Sequence, residues 1–447
     1  MNVYKIYDFC NIYSVAGLFH CFTSYSAIYL YDALMYSLLM PQFSNYLRLS
    51  QKPLHVWLWA ILLIALCVKT FLKPASHSVF PVFFYGGLHW WQDVSLYQHF
   101  EGLDYFRYSP LAAIFFSFFS MFGLTAGSIL WNLTSNAIYL LGCRAFWKKI
   151  QSQSGADEKQ KFFLICLFVA LSGIWNSQCN ITLAGLLLLA LVDLWDGKDL
   201  RGTLWLALAL FLKITIAPVV LLVVFLRPIP LASRLAFWLG LGTLLPFLTR
   251  SPTVVMFQYQ EWFNHLASTQ SMRWPGFRDG WYLWLVTKQQ LDSSLNDPEF
   301  WRIPSAGWYQ QLQAFGGLIC AMVCFWWKMR GMPPWEWLPR TMALGICWMM
   351  VLGPATEFPT YGLLAPFLGW ALVLRKQPGS WKHLLHVASF LILFMGWKEL
   401  QAPFVKFLPI IQGALPIGSA LFAIWLVQDS YQIVKRTFSN DELVKTV

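Results

Sequence analysis

Long apolar runs separated by short charged connectors dominate the chain. The runs at residues 56–68, 162–174, 181–192 and 219–226 contain no charged side chain. Uncharged runs of this kind are typical of helices in a lipid bilayer. The composition agrees, because 57% of the 447 residues are hydrophobic and only 12% are charged. The pattern predicts an all-α, polytopic bundle of transmembrane helices.

The basic residues lie in the connectors and predict the orientation of the bundle. Cytoplasmic connectors carry an excess of Lys and Arg, so we assign these connectors to the cytoplasm. The net charge of +11 is spread over them, with no separate basic domain, so nucleic acid is not an expected partner. The connectors cover residues 144–161, 198–201, 227–234, 328–340, 375–382 and 435–436.

The apolar run at residues 202–226 lies between two of these connectors. One straight helix would place the second connector outside, whereas two half-helices that meet at Lys213 and Pro218 keep both inside. Irregular backbone at this depth is tolerated where it lines a cavity. By the same reasoning, residues 110–122 form a helix on the outer face, and the chain makes about twelve crossings.

Three regions are expected along the chain. Residues 1–52 form a weakly apolar segment of interfacial character, residues 53–430 form the transmembrane domain, and residues 431–447 form a cytoplasmic tail. The transmembrane domain has outer loops at 74–126 and 250–310, which include juxtamembrane helices. Most of the nine cysteines lie in apolar runs, which argues against a disulfide framework, and no cleavable signal peptide is evident.

The predicted topology collects polar residues from distant turns on the extracytoplasmic side. This is how a site at the mouth of a helical bundle is built. They are Asp93, Arg107, Gln178, Lys213, Arg273, Arg278, Asp279 and Glu357.

Asp93 in "HWWQDVSLY" is the candidate general base. A carboxylate beside a hydrocarbon boundary is costly unless it is solvated, paired or used. One interpretation is a base that takes a proton from a sugar hydroxyl. The other is a hydrated residue in an interfacial belt of Trp and Tyr, which includes Tyr97.

Lys213 and Arg107 are candidate ligands of a lipid-linked phosphate. A lysine inside an apolar run usually faces an interior or a cavity, although it can also extend to the interface. Arg107, next to Tyr108 in "FRYSPL", can bind the same anion or be an ordinary juxtamembrane arginine. Gln178 and Asn180 either cap helix ends or hydrogen-bond a sugar.

Glu357 in "GPATEFPTY" is a second carboxylate on a turn between prolines, and it is expected either to assist Asp93 in catalysis or to hold an arginine. The stretch 261–284 combines aromatic residues with Arg273, Arg278 and Asp279, which suits a carbohydrate or a solvated amphipathic loop. The sequence contains no phosphate loop, no paired-glycine nucleotide motif and no zinc-ligand spacing. We therefore expect no cofactor and a metal-independent reaction.

Six motifs in this order resemble glycosyltransferase family 87, the DUF2029 group, over roughly residues 55–430. They read "WQDVSLY", "FRYSPL", "SQCN", "LKITIAP", "RWPGFRD" and "GPATEFPTY". The resemblance implies a fold of the GT-C type and a polyprenyl-phosphate mannose donor. It also implies that Asp93 is the catalytic aspartate and that Lys213 and Arg107 lie near the donor phosphate.

The chain departs from the mycobacterial members of that family at two motifs. Those members carry a histidine where this chain has Thr356 and Glu357, and "FRYSP" replaces a frequent double proline.

The expected function is inverting transfer of a hexose, mannose by the resemblance, to a hydroxyl of a lipid or glycan. The reaction would occur on the outer face of a bacterial inner membrane, with Tyr97, Tyr108, Gln178 and Asn180 among the substrate-binding residues. The alternative is a secondary transporter or lipid flippase with a site lined by Lys213 and Gln178. The sequence shows no internal two-fold repeat and gathers its polar residues on one face, which favours the transferase.

Overall fold

The computed structural model describes residues 53–151, 156–269, 306–353, 357–374, 381–395 and 414–445. These residues form α-helices and short 3-10 turns, and they contain no β-strand. The all-α class predicted from the sequence is confirmed for this part of the chain. The N-terminal segment 1–52 and the loop residues Arg273, Arg278 and Asp279 lie outside the described residues.

The helices follow one another with short connections. In chain order they are α1 (Leu54–Leu72), α2 (Phe80–Trp91), α3 (Pro110–Ser120), α4 (Gly123–Ile150), α5 (Ala156–Trp175), α6 (Cys179–Trp195), α7 (Asp199–Leu212), α8 (Ala217–Leu226), α9 (Pro228–Leu244), α10 (Pro252–Thr269), α11 (Ala306–Met329), α12 (Pro334–Leu352), α13 (Ala365–Leu374), α14 (Trp381–Met395) and α15 (Ala414–Lys445). Short 3-10 turns cover Ile214–Ile216, Leu245–Leu248 and Phe358–Leu364.

Helix α6 is the centre of the bundle, and most of its side chains are buried. It packs along α4 on one side and along α7 on another. A Cβ atom on Gly142 of α4 would lie 2.6 Å from the carbonyl oxygen of Gly185 in α6. A Cβ atom on Gly185 would lie 2.5 Å from the carbonyl oxygen of Ile138. Because such contacts are too short for carbon and oxygen, glycine at both positions allows the two helices to approach closely.

Several helices have the length and hydropathy of membrane spans. Among the described residues these are Leu54–Leu72, Pro228–Leu248 and Gln311–Met329. Helices α3 and α4 reach the same threshold only when taken together, and they are bent by 112°. The apolar helices identify an integral membrane protein, while the total of about twelve crossings stays a prediction.

The sharp bend makes α3 a separate helix. Ser109 caps its first turn by accepting a hydrogen bond from the backbone N–H of Ala112 at 3.3 Å, and Pro110 follows at the first helical position. Gly123, with φ of +75°, provides the left-handed turn between α3 and α4. The helix start predicted at Pro110 is confirmed.

Helices α7 and α8 form the broken pair predicted around Lys213. Helix α7 ends at Leu212, and Lys213 has an extended backbone before the 3-10 turn that leads into α8. The first residue of α7 and the residue after α8 lie side by side, because Arg227 donates to Asp199 over 2.8 Å. The pair therefore enters and leaves the bundle at one end, with Lys213 at its tip.

The basic connectors meet at the end where this pair begins. Lys149 at the end of α4 pairs with Asp196, which follows α6. The Nζ atom of Lys328 donates to the carbonyl oxygen of Leu226 over 2.5 Å. We call this the basic end of the bundle, and the tip at Lys213 points away from it.

Candidate active site

Polar residues from four distant segments come together opposite the basic end. We call this group the mouth cluster, and it consists of Tyr108, Gln178, Asn180, Lys213, Glu357 and Thr360. Its residues lie in the loop before α3, at the start of α6, in the break between α7 and α8, and in the turn before α13. The structure thus brings together residues up to 252 positions apart in the sequence, from Tyr108 to Thr360.

Lys213 is fixed through Asn180. The Nζ atom of Lys213 donates to Oδ1 of Asn180 over 3.0 Å, and Nδ2 of Asn180 donates to Oγ1 of Thr360 over 3.2 Å. Asn180 is fully buried, so both ends of its amide are used within the protein. Its observed contacts therefore position the lysine. Since an ammonium carries several N–H donors, Lys213 keeps capacity for an anion.

Gln178 and Glu357 form the second link of the cluster. Nε2 of Gln178 lies 3.5 Å from Oε2 of Glu357, a long hydrogen bond. Gln178 occupies the position before α6, but its side chain does not cap that helix. Glu357 is half-buried and precedes the 3-10 turn Phe358–Leu364. The cluster therefore holds a carboxylate and an ammonium group on neighbouring segments.

The two tyrosines predicted to bind substrate attach the loop before α3 to the bundle. The hydroxyl of Tyr97 donates to the carbonyl oxygen of Tyr108 over 2.9 Å, and the hydroxyl of Tyr108 lies 3.7 Å from Sγ of Cys179. Burial raises the pKa of both phenols well above the ordinary value. Both hydroxyls therefore remain protonated at physiological pH and orient the loop over the start of α6.

Arg107 lies beside the mouth cluster on the same loop. Its Nη2 is 3.3 Å from Oδ1 of Asp104, and its side chain is 30% exposed. Its Nε is buried and has no hydrogen-bond partner among the described residues. The guanidinium also faces His265 of α10, where burial, and then the charge of Arg107, lower the pKa of the imidazole.

Asp93 lies at the end of α2, where a Schellman motif closes the helix. The N–H of Val94 donates to the carbonyl oxygen of His89 over 3.2 Å, and Asp93 between them has φ of +56°. A non-glycine residue in this left-handed region is uncommon, and aspartate tolerates it better than most. The side chain of Asp93 is 52% exposed, and its Oδ1 lies 3.4 Å from Nε of Arg250.

Asp93 and the mouth cluster lie at opposite ends of α2. The N–H of Val79, just before α2, donates to the carbonyl oxygen of Asn176 over 3.0 Å, close to Gln178. Helix α2 has 12 residues, so it extends about 18 Å from that contact. Asp93 thus contacts Arg250 and not Lys213 or Glu357. We call Asp93 and Arg250 the rim pair.

Helix α10 anchors the segment that follows Asp93. Its Gln258 accepts from the N–H of Leu96 over 3.1 Å and donates to the carbonyl oxygen of Val94 over 2.9 Å. Sequence reasoning missed Gln258 and Arg250 as contributors to the site. The signal for Arg250 was present, since the topology places it at the start of an outer loop. Its partner was not visible, because only tertiary packing brings the segment before α10 to the end of α2.

Other predicted features lie outside the described residues. Arg273, Arg278 and Asp279 belong to this group, and their roles stay predictions. Within the part of the chain that the structure describes, no group of three or more His, Cys, Asp or Glu side chains could hold a metal ion.

Comparison with known proteins gives a family and a set of similar structures. A family model described as glycosyltransferase family 87 matches residues 106–354, more than half of the 447 residues. Two similar solved structures are of ArnT from Cupriavidus metallidurans. The one bound to undecaprenyl phosphate has 14% identity and a TM-score of 0.37, and the apo state has 15% and 0.35. Each match covers 83% of this chain and 77% of the other. No curated protein matches the chain.

Proposed function

Because the chain belongs to glycosyltransferase family 87, we propose that it transfers a hexose from a polyprenyl-phosphate donor to a hydroxyl group. The family and the apolar helices make it a membrane glycosyltransferase. The proposal adds the donor lipid, mannose as the sugar, and a lipid or glycan as the acceptor. It also assigns the reaction to the extracytoplasmic face.

The observation that carries the proposal is Lys213 at the tip of the re-entrant pair. Its ammonium is held by buried Asn180 and lies at the end of the bundle where a lipid headgroup would lie. An ammonium in a partly buried site attracts phosphate more strongly than it would in water. Arg107, whose guanidinium is part exposed on the adjoining loop, would bind the same anion.

The position of the basic end supports the orientation. Lys149, Arg227 and Lys328 contact other connectors at the end opposite Lys213. Cytoplasmic connectors of membrane proteins are enriched in Lys and Arg. With the basic end in the cytoplasm, the mouth cluster and the rim pair face the outside, which favours a bacterial inner membrane protein with an outward-facing site.

The proposed reaction is a direct displacement. Asp93 accepts the proton of the acceptor hydroxyl, and the oxygen of that hydroxyl attacks the anomeric carbon of the donor. The bond from this carbon to the phosphate oxygen breaks, and polyprenyl phosphate leaves with the electron pair. Attack opposite the leaving group inverts the anomeric centre. The leaving phosphate needs no acid catalyst, because Lys213 stabilises its negative charge. The reaction therefore requires Asp93 and Lys213 to approach one donor molecule, since the structure separates them by about the length of α2.

We assign Asp93 as the base and Glu357 as an assisting carboxylate. Asp93 is the more exposed of the two, so an acceptor can reach it from outside the bundle. Glu357 lies within the mouth cluster near Gln178, which suits contact with the sugar or the donor. The charge that a metal would supply comes from Lys213 and Arg107 in this proposal, so a chelator should leave transfer unchanged.

The proposal is tested by transfer of radiolabelled mannose from polyprenyl-phosphate mannose into membrane lipid or glycan. The intact protein is compared with Asp93→Asn, which keeps the shape of the side chain and removes the base. Transfer by the intact protein and its near loss in the variant, with donor binding retained, supports the proposal. Equal transfer by both removes Asp93 as the base. No transfer by the intact protein from mannose or from other lipid-linked hexoses contradicts the proposed donor.

A further inference from the structure

We infer that Arg250 is a positioning residue that holds the Asp93 carboxylate in its working orientation. The inference rests on the proposed function, because it takes Asp93 as the general base. The pair joins the end of α2 to the start of α10, two helices that are far apart in the sequence. Arg250 comes to Asp93 only through packing.

Arg250 is held more firmly than the carboxylate that it contacts. Its Nε donates to the carbonyl oxygen of Trp90 over 3.1 Å, and its guanidinium lies over the ring of Trp91 at 5.1 Å. The side chain of Arg250 is 21% exposed, whereas that of Asp93 is 52% exposed. The arginine therefore provides a fixed charge, and the carboxylate is the accessible partner.

Hydrogen bonds around Arg250 fix the position of its segment. Trp90 is almost completely buried, and its indole N–H donates to Oγ1 of Thr249 over 3.2 Å. The hydroxyl of Thr249 donates in turn to the carbonyl oxygen of Pro246 over 2.8 Å. Tyr259 of α10 donates to the carbonyl oxygen of Thr243 over 3.0 Å, which fastens α10 to the end of α9. Arg250 is thus attached to α2 and to α9 at once.

The ion pair contributes orientation more than stability. An exposed pair with an oxygen–nitrogen distance of 3.4 Å adds little to the free energy of unfolding. A general base, in contrast, must direct an oxygen at the proton that it accepts, and small displacements are costly for the rate. Asp93 follows a helix end and is half-exposed, so without Arg250 its carboxylate would rotate freely among solvent-facing rotamers.

The test compares Arg250→Gln with Arg250→Lys in the polyprenyl-phosphate mannose transfer assay. We expect Arg250→Gln to lower kcat by about 10- to 100-fold with the donor KM little changed, because the base is misdirected while the donor still binds at Lys213. Arg250→Lys keeps the positive charge and should restore part of kcat. Added to Asp93→Asn, the Arg250→Gln change should cause no further loss, because the residue that it orients is no longer a base.

The matched control is Arg234→Gln, which removes one arginine charge at the basic end and leaves Asp199 paired with Arg227. It should transfer mannose at close to the rate of the intact protein. The melting temperature of each purified variant in detergent shows whether it is folded. The inference is overturned if Arg234→Gln loses as much kcat as Arg250→Gln. It is also overturned if lysine restores nothing, or if Arg250→Gln further slows Asp93→Asn.

Two outcomes separate this inference from the proposed function. Near loss of transfer in Asp93→Asn with full activity in Arg250→Gln removes the positioning role and keeps the base. Full activity in Asp93→Asn removes the base, and the inference that depends on it, while transfer by the intact protein would still support a mannosyltransferase.

Discussion

The mouth cluster and the rim pair are built on the same kind of helix end and differ in how they are held. The turn after α2 contains Asp93 at φ of +56°, and the turn after α5 contains Ser177 at φ of +55°, just before Gln178. Both turns place a non-glycine residue in the left-handed region, which costs of order 1–3 kcal/mol and often marks functional sites. Beyond this shared turn, the two regions diverge.

The mouth cluster is cross-linked, and the rim pair is open. Lys213, Asn180 and Thr360 form a chain of hydrogen bonds that connects three segments, and its central residue is fully buried. Among the described residues Asp93 has one ion pair, and its side chain is exposed. An anchor for a phosphate gains from partial burial, since electrostatic attraction strengthens as water is excluded. A base that meets an incoming acceptor must stay accessible.

Removal of the Lys213 charge should weaken binding of the donor phosphate at the mouth cluster. We expect Lys213→Gln to lower kcat/KM for the donor by about 100-fold, because the leaving phosphate loses its main cationic partner. The glutamine side chain can still donate to Asn180, so the local hydrogen bond survives. The measurement is mannose transfer over a range of donor concentrations.

Lys198→Gln at the basic end is the control for the loss of one lysine. Lys198 pairs with Asp196 at a distance of 3.0 Å, on the opposite side of the bundle from the site. Its substitution should leave donor kinetics unchanged. Equal donor kinetics for Lys213→Gln and the intact protein would show that the phosphate binds elsewhere.

Asn180→Asp changes the charge beside Lys213 and keeps the shape of the side chain at position 180. Asn180→Asp places a carboxylate 3.0 Å from the Lys213 ammonium and forms an internal ion pair. We expect the donor KM to rise by about 10-fold, because the carboxylate competes with phosphate for Lys213. The Thr360 hydroxyl can donate to the new oxygen, so the melting temperature should change little. An unchanged KM would mean that Asn180 does not govern the charge presented to the donor.

The sequence predicted those features of the site that depend on local pattern. Lys213 interrupts an apolar run between two basic connectors, so parity alone predicted the break and the tip, and the structure confirms both. The helix start at Pro110 was likewise predicted from the local sequence. Asp93 and Glu357 were recognisable as carboxylates beside aromatic or proline-rich turns, and their catalytic roles stay predictions.

Partners in long-range contacts could not be predicted. Asn180 and Thr360 are 180 positions apart, and nothing in either motif identifies the other. Asn180 was expected to cap a helix or bind a sugar, whereas packing of the 3-10 turn against α6 makes it a support for Lys213. The same reason hid Arg250, because its contact with Asp93 depends on how the segment before α10 packs against the end of α2.

Glu357→Gln tests whether Asp93 is the base and Glu357 only assists it. The substituted amide oxygen can still accept from Gln178, so the cluster should remain assembled. We expect only about a threefold loss of kcat, against about 1,000-fold for loss of the base in Asp93→Asn. Single-turnover transfer of both variants under saturating donor gives the comparison. A reversed order of the two losses would assign the base to the mouth cluster.

The smallest effect concerns His265, which lies between the two regions. Its ring contacts those of Tyr97 and Tyr105 at 6.0 and 5.1 Å, beside Arg107. Burial first, and then Arg107, hold the pKa of His265 below its ordinary value. The unfolded chain therefore binds a proton at higher pH than the folded protein does. Stability that is complete above the unfolded pKa of about 6.5 is lost as the pH falls from that value through the folded pKa.

His265→Gln should flatten the acid side of the stability profile. We expect the melting temperature of the intact protein to fall between about pH 7 and pH 5, and that of the variant to fall less, since the variant has no imidazole to protonate. His99→Gln is the control, because His99 is exposed on the loop that carries Tyr97 and Tyr105. This substitution should leave the melting-temperature profile unchanged. Parallel profiles for all three proteins would show that protonation of His265 does not cause the loss of stability at acid pH.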